Sequence, residues 1–266
     1  GHASELFTAG RPKEAIPWAE RALAVYPSYP SAHQTLAKSF RQLAKDESDP
    51  ARALELRTQA EEHARWLVAF HAAAQGDGSG LADAWNVLGS LALDRKAVEE
   101  AVEDYRKSIE ASPDYVPAIT GLGAALAMQV DLASEPEAKD RLRQAALEQF
   151  ERALVLDPGS APARENAAQM LRALAPREAD DTRRAELLRQ ASVHEARAVD
   201  AHEATGDAAG LANLHGVTGT RLLGEKRLDE ALVEFKEAAA LQPQAARGFL
   251  GMGTVLVAQA DGEAEA

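Results

Sequence analysis

Histidines are the first residues to test for metal chemistry, and four of the seven form two pairs, His63 with His71 and His194 with His202, each eight residues apart in helically periodic stretches. Eight residues rise ~12 Å along a helix, too far for one ion to be shared. The run from His194 also fails the zinc-protease pattern His-Glu-x-x-His, because position 198 is alanine. Structural or surface histidines are expected instead, with no metal and no cofactor. Gly219 and Gly224 have the first spacing of a phosphate-binding loop, but Glu225 precedes Lys226 and no strand comes before. Glu99, Glu100, Glu103 and Asp104 alternate with Arg106 and Lys107 as on a solvated helix face, with no sign of the pocket that acid-base catalysis requires. No strand-turn-helix context presents a nucleophile. The segment is therefore read as non-enzymatic.

The elements that would carry any of these residues are paired amphipathic helices. In Ala82 to Tyr115, the residues Trp85, Leu88, Gly89 and Ala92 share one face, and Ala101, Tyr105, Ser108 and Ile109 share another. Asp94, Arg95 and Lys96 interrupt the pattern between them. Pro113 stops the second helix, because it lacks an amide proton and disfavours helical geometry in the residue before it. The spacing Trp-x2-Leu-Gly, Ala-x3-Tyr-x2-Ser, Pro resembles the tetratricopeptide (TPR) repeat, whose period is about 34 residues. That resemblance implies an all-α chain: an α-solenoid of helical hairpins in a right-handed superhelix, with lengthened second helices in some repeats.

Taken in order, the chain reads as a single solenoid over 1–266, with repeats at about 3–29 (partial), 30–81, 82–115, 116–160, 161–211, 212–245 and 246–266 (partial). Both ends fall within a repeat, so a longer native protein is expected, with self-association through uncapped ends allowed. Pro17 predicts a kink or a late start in the helix that holds it. Pro117 and Pro162 mark helix starts. The surplus Ala133 to Arg143 is expected to lengthen both its helices and the loop joining them. The last helix, Arg247 to Gln259, is expected to turn Phe249, Met252, Gly253 and Leu256 inward. Gly89, Gly123, Gly219 and Gly253 occupy one repeat position, where a missing side chain lets helices approach.

A second-order repeat lies over the first. Gly219, Ala231 and Pro243 each follow Gly89, Ala101 and Pro113 by 130 residues, and the Glu-Arg-Ala-Leu at Glu20 returns at Glu151 with an offset of 131. A block of three helical hairpins was duplicated.

Net charge is -13, which argues against nucleic acid as a partner, since such affinity comes largely from lysine and arginine. No stretch has the ~20 apolar residues that span a bilayer. The absence of cysteine suits a reducing or an oxidising compartment, so localisation stays open, the cytoplasm slightly ahead of the periplasm. The TPR resemblance implies a protein-interaction scaffold that holds a peptide or partner helix in a concave groove lined by each repeat's first helix. At the groove positions stand Gln34, Lys38, Arg41, Asn86, Ser90, Thr120, Glu165, Gln169, Arg172 and Thr220. Only Lys38, Arg41 and Arg172 are basic, too few for the carboxylate clamp of chaperone-binding relatives. The alternatives are a substrate-recruiting arm of an enzyme whose catalytic domain lies elsewhere, and a self-assembling structural scaffold.

Overall fold

The computed structural model describes residues 1–264 except Gln75 and Asp77, with side chains described as far as residue 260. Among the described residues there are thirteen α-helices and no strand. They form two compact units, 1–158 and 159–266.

The first unit holds α1 (His2–Thr8), α2 (Pro12–Val25), α3 (Pro30–Asp46), α4 (Pro50–Ala74), α5 (Ser79–Asp94), α6 (Val98–Ala111), α7 (Val116–Leu132) and α8 (Pro136–Leu156). Prolines in the first turns of α2, α3, α7 and α8 cost no hydrogen bond there and set the helical φ in advance. Helices pack as hairpins, α3 on α4, α5 on α6 and α7 on α8, while the first helices α3, α5 and α7 also touch in sequence. The hairpin at α5 and α6 is antiparallel. Ser108 donates to the Ala82 carbonyl at 2.6 Å at its open end, and the Ser90 and Tyr105 hydroxyls meet at 3.0 Å nearer the turn. Pro17 lies inside α2, which already begins at Pro12, so the helix does not start late. The surplus after Val130 goes into helix and not loop: α8 runs 21 residues against 14 in α6, while only Ala133 to Glu135 separate α7 from α8. The run Ala-Lys-Asp-Arg-Leu-Arg-Gln is, apart from its aspartate, made of good helix formers, with no proline or glycine to break it.

The second unit holds α9 (Ala161–Leu174), a single 3-10 turn at Ala175–Arg177, α10 (Asp181–Thr205), α11 (Ala208–Gly224), α12 (Leu228–Leu241) and α13 (Ala246–Ala264). Here α9 pairs with α10 and α11 with α12, and α13 packs on α12 and α11. Ser160, Asp180 and Asp207 cap α9, α10 and α11 by accepting from first-turn amides.

Aromatic rings set between glycines explain the close stacking. A Cβ on Gly89 would lie 3.0 Å from the Tyr105 ring and one on Gly121, in the following helix, 2.4 Å from the same ring; Phe235 stands likewise between Gly219 at 3.0 Å and Gly251 at 2.3 Å. Gly123 meets Phe150 at 2.6 Å. Gly253 departs from the expectation, since nothing lies within 4 Å of where its Cβ would be. The same difference corrects the inward face of α13. Val255 is fully buried and Met252 packs beneath Leu222, Ala231 and Phe235, whereas Phe249 and Leu256 are about half exposed at 51% and 55%. In α7 the matching stripe, Ile119, Gly123 and Leu126, is buried, and Gly123 meets Phe150 of α8; α13 has no such second helix against it within the unit. Gly251→Val should therefore cost about 1 to 3 kcal/mol by forcing the buried Phe235 ring aside. Gly253→Ala should be neutral or stabilise by up to about 1 kcal/mol through helix propensity. Urea unfolding of both variants checks the contrast.

Candidate functional site

In the first unit the expected groove residues of α3 are occupied with one another's neighbours. Asp83, 8% exposed on α5, accepts from Gln34 Nε2 and Lys38 Nζ on α3, both at 2.8 Å, and from the Tyr115 hydroxyl at 2.6 Å. Burial opposes its charge, but the Lys38 ammonium and these three donors outweigh burial and hold the carboxyl below its ordinary range. The same carboxylate pushes the Tyr115 hydroxyl, already raised by burial, further up. Arg41 spans to Asp94 with contacts of 2.7 and 3.3 Å, and Lys45 stands 3.7 Å from the same carboxylate. Gln34, Lys38 and Arg41 thus tie α3 to α5. Of the other residues expected here, Ser90 bonds Tyr105, while Asn86 and Thr120 are half-buried on α5 and α7.

The histidines of this unit meet across a hairpin. His33 Nε2 donates to the Pro27 carbonyl at 3.0 Å, so its Nδ1 accepts from His63 Nδ1–H at 2.8 Å. The His33 ring stacks on Trp66 with centroids 3.7 Å apart. Burial, with His33 adding repulsion, brings His63 down to about 4.

The second unit repeats the order of hairpins with different residues, and its α9 and α11 pack less closely than α3 and α5. Offsets of 131 and 130 carry Gln34, Lys38, Asp83 and Tyr115 onto Glu165, Gln169, Asn213 and Ala245, so the salt bridge and the phenol are both lost. In their place lies a cleft of about 540 Å³, floored by Ala173, Leu214 and Val217 and edged by Glu165, Asn166, Gln169, Arg172, Glu195, Asn213, Thr218 and Arg221. Arg172 grips Glu195 through two bonds of 2.6 Å, and Arg221 reaches Glu225 at 2.8 Å, so the charges at this end balance. Arg221 Nε is buried without a hydrogen-bond partner.

The amides are poised for complementary work. Asn166 Nδ2 donates to the Pro162 carbonyl at 2.8 Å, leaving its Oδ1 to accept. Arg247 donates to Asn213 Oδ1, leaving Nδ2 to donate. Gln169 is exposed beside both. An acceptor, a donor and a group able to do either face one apolar floor, the set that a peptide main chain needs.

The structure therefore brings three expected residues together, Glu165, Gln169 and Arg172, and leaves Thr220 outside the cleft, exposed and bonded to its own helix at Gly216. Asn213, Asn166 and Arg221 were not singled out from sequence. The duplication could have found Asn213, since it replaces Asp83 at the second position of its repeat. Arg221 replaces Leu91, a change visible only once the two blocks are aligned.

Comparison with known proteins agrees with the geometry. Residues 82–115 match the tetratricopeptide repeat family. Among solved structures, TTC0263, a thermophilic TPR protein of Thermus thermophilus, superposes with a TM-score of 0.61 at 17% identity over 83% of this chain and 99% of that one. The human IFIT1 dimer with PPP-AAAA gives 0.63 at 15% identity over 96% of this chain, which spans 62% of IFIT1. A search of the curated proteins finds no match.

Proposed function

We propose that this chain, built on the tetratricopeptide-repeat fold, is a protein-interaction module that takes an extended peptide in the cleft between α9 and α11. The observation that carries it is the difference between the two blocks: where Lys38 and Asp83 bridge α3 and α5, Gln169 and Asn213 leave an open cleft with unspent amide groups. Main-chain hydrogen bonds to Asn166, Gln169 and Asn213 hold the peptide, and Ala173, Leu214 and Val217 receive an apolar side chain. Peptides selected on the whole chain should lose about tenfold or more in affinity on Asn213→Ala, the worth of one well-made hydrogen bond in a desolvated site. Asn86→Ala, in the other unit, should leave affinity unchanged. Equal loss from both variants would count against the cleft.

A peptide is favoured over nucleic acid because net charge is -13 and the two arginines of the cleft are each ion-paired with glutamate. The PPP-AAAA ligand held by the IFIT1 structure is accordingly expected not to bind here, and fluorescence anisotropy at low salt tests this directly.

A further inference from the structure

One carboxylate of the cleft is not paired with arginine. Glu165 projects from α9, and its Oε1 lies 2.6 Å from Nε2 of His202 on α10; the other ring nitrogen, Nδ1, lies 3.1 Å from Oδ2 of Asp207, the residue that caps α11. Two ionised carboxylates can only accept, so both bonds are made when the ring carries both protons, and a neutral ring can make one. His202 is 6% exposed in the last turn of α10. Its ring is pressed against Gly210, whose Cβ would fall 2.2 Å from it. The charges facing the ring are Glu165 from α9 and Asp207 from the start of α11, with Glu203 adjacent on α10. Arg164, the neighbouring charge on α9, bears on His194.

We infer that Glu165 is the residue that sets the cleft's specificity, selecting a partner segment with a lysine or arginine side chain. The inference rests on the cleft being a peptide site. The two arginines of the cleft are ion-paired, Arg172 with Glu195 and Arg221 with Glu225 beside the cleft, so Glu165 is the lining carboxylate left for a basic side chain of the partner. The duplicated block has Gln34 at the equivalent position, so Glu165→Gln is a change this frame already accommodates.

The test is a displayed library of random heptapeptides panned on the whole chain at pH 8, in parallel with Glu165→Gln. On the unaltered chain at pH 8, lysine and arginine should be enriched about fivefold at one peptide position, the worth of ~1 kcal/mol from a partly exposed ion pair. Enrichment should be absent on Glu165→Gln, which should still recover peptides. Peptides recovered without basic enrichment, or with the same enrichment on Glu165→Gln, overturn the assignment while leaving the peptide cleft intact. Recovery of no peptide by either protein overturns the cleft itself and this assignment with it.

Discussion

Replacing Asp104 by asparagine should stabilise the protein by about 3 kcal/mol at pH 8. Asp104 is buried on α6, 6% exposed, with Lys107 no nearer than 3.9 Å and Glu100 and Glu103 adding repulsion; burial chiefly lifts its carboxyl from 3.8 to about 6. A raised carboxyl binds its proton more tightly folded than unfolded. The native state therefore carries a penalty above pH 6 that is relieved as pH falls toward 4. His63 acts in the opposite sense, since a histidine lowered from 6.5 to about 4 stays neutral in the fold and loses stability as pH falls across that range. The two oppose each other in the unaltered chain. Asp104→Asn should consequently be more stable at pH 8 and lose stability more steeply than the parent between pH 6.5 and 4. Chemical unfolding across that range reads both effects, and an Asp104→Asn profile parallel to the parent's would refute the assignment.

Asp83→Ala should cost about 2 to 4 kcal/mol. It strands the Lys38 ammonium, the Gln34 amide and the Tyr115 hydroxyl together, though Lys38 keeps some water, being 32% exposed. Asp83→Asn, which installs the residue found at Asn213, should cost less because it still accepts from one or two of these donors. The carboxyl is held low, so its contribution is complete above pH ~4 and lost as pH falls through the folded value. Thermal unfolding of the two variants at pH 7 gives the order. Equal stability of Asp83→Ala and the parent would mean that the network contributes nothing.

Repeat periodicity made the helical hairpins legible, since apolar spacing, small residues and proline stops recur together and each dictates local structure. Helix limits such as Asp181 for α10 follow from Asp180 as a cap. The face of α13 was misjudged because spacing shows which residues are apolar, not which neighbour stands against them; Val255 and Leu256 look alike until α12 covers one. The cleft was half legible. Repeat position brings Glu165, Gln169 and Arg172 to its lining, but does not show that Lys38 and Arg41 are spent on Asp83 and Asp94. Those partners lie 45 and 53 residues away, on the next repeat.

The most direct test of the open cleft is to close it with the residues the other block uses. Gln169→Lys with Asn213→Asp recreates the pair seen between Lys38 and Asp83, bridging α9 to α11 without disturbing the core. Isothermal titration of a selected peptide should show binding to the parent and none to the double variant, with helical circular dichroism unchanged. Undiminished binding to a folded double variant would contradict the account.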